Sequence, residues 1–157
     1  MLLGSFFKSI NMYVECTLLF HSRFLMFFLC LHQVVVLWVG TNNHGHTAEQ
    51  ICGGIMEVGG TLIGEKGLVV MGVLARGKMP NSLRERNAQV NKLVQEAVSS
   101  LPHTSLLNVD PVFVHSDGSI SHQELYDYLY LTPQGYQAVC QLLHAHLKGL
   151  LEKQAEN

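Results

Sequence analysis

Apolar positions along the chain fall into blocks of two kinds. Gln33 to Val39 is a continuous, β-branched apolar run that stops at Gly40-Thr41-Asn42-Asn43. A run without alternation suits a strand covered on both faces, as in a parallel sheet. Thr47-Ala-Glu-Gln then opens a helical pattern, with Thr47 placed to cap and Gln50 three residues on. Its apolar positions Ile51 and Ile55 share a face, and Gly59-Gly60 is the expected end, since glycine disfavours helix interiors. Leu68 to Leu74 predicts a second buried strand, and Arg76 to Asn81 a loop. Ser82 is the expected cap of a second helix with the stripe Leu83, Val90, Leu93, Val94 and Ala97, stopped before Pro102. Ser105 to Val109 predicts a third short strand, and Phe113 to Glu124 a polar loop. Thr132-Pro133 begins a last helix with the face Tyr136, Val139, Cys140, Leu143, Leu147 and Leu150.

Strands alternating with helices imply a parallel sheet with helices on both faces. Ligands of such sheets bind beyond the carboxyl ends of the strands. Here those ends are Gly40–Asn43, Ala75–Met79 and Asp110–Phe113.

Composition divides the chain of 157 residues. Residues 1–40 carry only Lys8, Glu15 and Arg23 as charges, yet hold eight of the 13 aromatics. Residues 1–33 therefore read as an apolar head on a body, 34–157, of ordinary polarity. The longest apolar run in the head, Phe24 to Leu31, is bracketed by His21-Ser22-Arg23 and His32-Gln33. A spanning helix needs about 20 apolar residues, so buried core segments are the first reading. Membrane contact through residues 1–33 stays open beside it. Lys8 is the only early base and no A-x-A-like cleavage site follows Leu31, which does not match an export signal. The net charge of −2 argues against a nucleic-acid binder. Cys16, Cys30, Cys52 and Cys140 form no C-x-x-C pair, and His44 and His46 lack a spaced third ligand. Free thiols in a reducing, cytoplasmic setting and no metal or cofactor are the expectation.

Candidate chemistry gathers at two places. Asn42, directly after a buried strand, can point an amide N–H at a developing oxyanion, although Gly and Asn also make ordinary turns. Asp127 stands before the last helix, where an acid could orient a histidine three residues on, but that position is Tyr130. A phenol is too weak a base at neutral pH to take a serine's proton. His115 and His122 lie in the polar loop without diagnostic spacing, and no serine sits in a Gly-x-Ser-x-Gly or Gly-Asp-Ser turn.

Four stretches carry a resemblance: VVVLWVGTNNHGHTAEQICGGI (34–55), GVLARGKMPNSLRERNAQVNKLV (72–94), FVHSDGSISHQELYDYLYLT (113–132) and the last helix. Over about residues 34–151 the chain resembles the catalytic subunits of intracellular platelet-activating factor acetylhydrolase type IB, nearest the alpha-1 kind, within the SGNH (GDSL-like) hydrolases. The resemblance implies an α/β, flavodoxin-like fold, a three-layer parallel sheet here truncated at its N-terminal strands. It implies an acetyl-ester hydrolase with a Ser–His–Asp triad. It also implies homo- or heterodimers of catalytic subunits and a WD-repeat regulatory partner. Asn42 matches the family's oxyanion asparagine, Asp127 its triad aspartate, and Tyr130 occupies the position of its histidine. The blocks that supply the nucleophile and a glycine oxyanion donor are not found in residues 1–33, and Met56 to Leu68 is shorter than in relatives. The expectation is a catalytically inactive relative, with a non-catalytic interaction subunit as the alternative.

Overall fold

A computed structural model describes residues 15–17, 20–21, 24–25, 27–30, 34–40, 43, 45–63, 67–128 and 130–156. In the body the strands are β5 (Val34–Trp38), β6 (Gly67–Met71) and β7 (Thr104–Leu107). They pair in parallel, Val35 opposite Leu68 and Val69 opposite Ser105. Before them come β1 (Glu15–Thr17), β2 (Phe20–His21), β3 (Phe24–Leu25) and β4 (Phe27–Cys30). β4 pairs antiparallel with β5, and β1 with β4, giving the order β1-β4-β5-β6-β7. The sheet is thus mixed: its parallel part comes from the body, as expected, and its antiparallel edge from the apolar head. β2 and β3 form a separate two-stranded ribbon.

Three longer helices flank the parallel strands: α1 (Ala48–Ile63), α2 (Ser82–Ser99) and, after the short α3 (Asp110–Phe113), α4 (Pro133–Ala155). Successive strand residues face opposite ways, and both faces are filled. Val35, Leu37, Leu68 and Val70 pack with Ile51, Ile55, Val90, Val94 and Val98. Val34, Val36, Val69 and Met71 pack with Val139, Leu143 and Leu147. Helices α1 and α2 therefore cover one face and α4 the other, three layers in all.

Local signals explain the helix starts. Thr47 and Gln50 close a reciprocal capping box, Thr47 N–H on Gln50 Oε1 at 2.9 Å and Gln50 N–H on Thr47 Oγ1 at 3.2 Å. Thr132 caps α4 by accepting from Gly135 N–H at 3.1 Å, with Pro133 in the first turn. The cap of α2 is Asn81 rather than Ser82, its side chain accepting from Arg84 N–H at 3.0 Å. Helix α1 also runs through Gly59-Gly60 to Ile63. Gly59 is buried in line with Ile51 and Ile55, and a Cβ there would meet Leu68 Cδ2 at 2.9 Å. Glycine lets the helix pass close over β6, and this packing outweighs the propensity cost. On α4, Tyr136 points outward, 41 % exposed, because the buried stripe starts at Gly135 and Val139 instead.

Among the described residues no helix is long and apolar enough to cross a membrane.

Candidate functional site at the strand ends

Past Met71 the chain stays buried through Arg76, although the strand has ended. Buried backbone groups need partners, and side chains from later elements supply them. Gly72 N–H donates to Leu107 C=O at 2.9 Å. Asn91 of α2 then takes both groups of the next residue: its Oδ1 accepts from Val73 N–H at 2.8 Å and its Nδ2 donates to Val73 C=O at 2.9 Å. Gly72 makes room for that amide, since a Cβ would sit 3.3 Å from Asn91 Nδ2. Asn87, one turn earlier, donates to Leu74 C=O at 2.8 Å. Asp110 accepts from Ala75 N–H at 2.7 Å. Burial raises the Asp110 carboxyl above its ordinary range, while the Ala75 hydrogen bond and Arg84 pull the other way. Asn81 Nδ2 donates to Arg76 C=O at 2.8 Å, and Arg84 Nη2 to Gly77 C=O at 2.5 Å. A second ladder, built of side chains, carries β6 out to the site.

A hairpin closes over this loop. β8 (Leu125–Tyr126) and β9 (Tyr130–Leu131) pair antiparallel, with Tyr126 opposite Tyr130. At its tip Asp127 and Tyr128 both take positive φ, +46° and +56°, conformations that cost non-glycine residues of order 1–3 kcal/mol each. Contacts at the tip offset this: Tyr128 C=O accepts from Gly77 N–H at 3.0 Å, and its own N–H donates to Leu125 C=O at 3.2 Å. Asp127 is exposed on that tip. Tyr130 is 61 % exposed.

Beneath the hairpin lies Arg76, only 2 % exposed. Among the described residues its Nε and Nη2 meet no hydrogen-bond partner. Desolvation by burial weakens its hold on the proton, the field of Tyr130 strengthens it, and the like charge of Arg86 weakens it again. Arg86 reaches across to the end of β5, donating to Asn43 C=O at 3.2 Å and to Asn87 Oδ1 at 3.3 Å. The turn at β5 starts at Gly40, whose φ of +98° suits glycine and whose missing Cβ leaves room for Val73 and Ile51.

The structure thus gathers the ends of β5 and β6, α2 and the hairpin. It puts Asp127 and Tyr130 on one hairpin and Tyr130 in the field of Arg76. Asn42, with Thr41 and His44, lies outside the described residues. His115 and His122 are exposed on the loop after α3. Among the described residues one serine is hydrogen-bonded to a histidine: Ser105 Oγ lies 3.0 Å from His146 Nε2. That pair joins the beginning of β7 to α4, away from the strand ends that form the site. Cys52 and Cys140 are free thiols. No group of three metal-ligating side chains occurs among the described residues. Sequence reading missed Arg76. Its one signal was a charge directly abutting the buried run Leu68–Ala75.

No family model matches the chain. Curated relatives do. The chain is 53 % identical over 123 residues to human platelet-activating factor acetylhydrolase IB subunit alpha1, covering 76 % of this chain and 53 % of that protein. It is 44 % identical over 127 residues to the chicken subunit alpha2, covering 79 % and 56 % respectively. The chain spans about half the length of the curated relatives it matches. In architecture it is similar to a solved structure from Streptococcus pneumonia titled a platelet activating factor, at a TM-score of 0.63 and 17 % identity over 73 % of this chain and 59 % of that one. At that identity the likeness speaks for the α/β fold alone. Over three-quarters of its length, the chain belongs by sequence to the family of the platelet-activating factor acetylhydrolase IB alpha subunits.

Proposed function

We propose that this chain is a member of the family that does not itself hydrolyse an acetyl ester. The observation that carries the reading is Tyr130. It follows Asp127 by three residues, at the position the family resemblance gives to the triad histidine, and it stands exposed on β9. Triad members act as a unit, so replacing the base alone costs orders of magnitude in turnover. The Ser105–His146 pair offers no substitute, since it belongs to the helix–sheet contact and not to the strand ends. Asp127 and Asn42 then persist as remnants of the triad and of the oxyanion hole. The test is turnover of a short-chain acetyl ester by the purified chain, with organophosphate labelling alongside. The expected result is neither turnover above background nor labelling. Serine labelling coupled to turnover overturns the reading.

A second reading, an interaction subunit, is favoured by the paired tyrosines of the hairpin. Tyr126 is 55 % and Tyr130 61 % exposed, side by side across β8 and β9. Exposed aromatics are enriched at protein interfaces, and the curated relatives are named as subunits. The partner would be an intact catalytic subunit, in a homo- or heterodimer, or the WD-repeat protein that the resemblance implies. Residues 34–157 would form the pairing domain, and residues 1–33 an added segment that completes its sheet edge or meets a membrane. The free thiols Cys52 and Cys140 support a cytoplasmic setting. Co-purification with either partner, lost in a Tyr126→Ser/Tyr130→Ser double variant, is the expected outcome.

A further inference from the structure

The buried guanidinium of Arg76 is unexplained by any of this. A guanidinium stays protonated in proteins, and taking it out of water is costly unless an opposite charge and hydrogen bonds compensate. Neither is supplied. Among the described residues no carboxylate forms an ion pair with Arg76; the pair Lys148–Glu152 lies on the outer face of α4. Asp110, at the same strand ends, gives its Oδ1 to Ala75, and Asp127 is turned out on the hairpin tip. Arg84 and Arg86 each spend guanidinium nitrogens on backbone carbonyls; Arg76 spends none on a described residue.

Which atoms are orphaned matters. Nε and Nη2 are buried and, among the described residues, unpartnered, and these two nitrogens form one edge of the guanidinium fork, their N–H groups pointing the same way. That edge receives two oxygens of one carboxylate or one phosphate. Arg86 lies close enough to act on the Arg76 charge and adds positive potential from the β5 side. The place also fits, because ligands of parallel sheets bind beyond the carboxyl ends of the strands.

We propose that Arg76 anchors an oxyanion site, its Nε–Nη2 edge holding two oxygens of a single carboxylate or phosphate beneath the hairpin 125–131. The proposal holds whether or not the chain hydrolyses an ester. Tyr130 then borders this site, and the hydrogen bond from Gly77 N–H to Tyr128 C=O ties the hairpin to the loop beside it.

The test is thermal unfolding of the full chain in sodium acetate, inorganic phosphate, dimethyl phosphate or sodium chloride at matched ionic strength. The expected result is a saturable rise in Tm with acetate or with the phosphates and none with chloride. Acetate alone names a carboxylate site, and the phosphates alone a phosphate site. Arg76→Met abolishes the rise, and Arg76→Lys, which keeps the charge but loses the fork, weakens the apparent affinity at least tenfold. Since a variant could fail to fold, the Arg76 Nε–H resonance of the native chain is followed as well. It should shift saturably with the same anion. Equal behaviour in all four salts, or a rise that persists in Arg76→Met, overturns the proposal.

Discussion

Asn91 and Arg76 are both buried polar side chains at the end of β6, and they meet that burial in opposite ways. Asn91 sits on α2 and returns both of its amide groups to one residue, Val73. Its neighbour Asn87 donates to Leu74 C=O and accepts from Arg86. These contacts close on themselves, so their purpose is structural: they replace the strand pairing that β6 lacks beyond Met71. Arg76, five residues beyond Met71, leaves an edge of its guanidinium open among the described residues. The difference separates scaffold from site. A buried polar group that is satisfied holds the fold, and one that is left open has something else to hold.

The sharpest way to break this comparison is Asn91→Ala. It strands the N–H and C=O of Val73, a residue 1 % exposed. Each unsatisfied buried group costs about 1–3 kcal/mol, so a loss of about 3 kcal/mol is expected, or roughly 6–12 °C in Tm for a chain of this size. Urea unfolding measures it, and a loss below about 1 kcal/mol would mean that the ladder is dispensable. Asn87→Ala removes one donor to Leu74 C=O and the acceptor of Arg86. About 1–1.5 kcal/mol is expected there. The two residues serve one loop, so the double variant should lose less than the sum.

Much of the scaffold is legible in the residues themselves. The apolar runs mark the three parallel strands to within a few positions, and Thr47 with Gln50, and Thr132 with Pro133, mark two helix starts. What escapes the pattern is what tertiary packing decides. Gly59 looks like a helix breaker until Leu68 is seen against it. Asn87 and Asn91 look like solvent-facing positions of α2, because polarity alone does not tell a side chain bonded to water from one bonded to Val73. The mixed sheet is hidden for a similar reason: the run Phe24 to Leu31 signals burial, not which strand it joins. Of the site, the Asp127–Tyr130 spacing is readable in the sequence. Arg76 is not, since a charge after an apolar run reads as the start of a surface loop.

A smaller effect tests a half-buried polar contact on the other face of the sheet. Burial, and to a lesser degree Lys153, lowers the His146 imidazole below its ordinary value of 6.5. Above that value both folded and unfolded chains hold the ring neutral, and the Ser105 contact contributes fully. As pH falls through 6.5 toward the lower folded value, the unfolded chain takes up its proton first, and stability declines. It levels off below the folded value. The ring is partly exposed, so the loss is well under about 1 kcal/mol. Unfolding midpoints from pH 8 to pH 5 should show this slope in the native chain and a flatter one in His146→Gln.

The last and smallest expected effect is the one that decides the comparison. If Arg76 were scaffold, Arg76→Met would destabilise the chain as Asn91→Ala does. If it is held open for an anion, the substitution removes a desolvated charge and two orphaned donors and leaves an apolar side chain of similar reach. Replacing buried ionic groups with well-packed apolar ones is often neutral or stabilising. In chloride buffer the variant should therefore lie within about 1 kcal/mol of the native chain, on the stable side if anything, because its burial relieves the cost of an uncompensated polar group. Its Gly77–Tyr128 hydrogen bond is made by backbone alone and survives the change. A destabilisation comparable to that of Asn91→Ala would move Arg76 into the scaffold and make the hairpin above it a structural clasp.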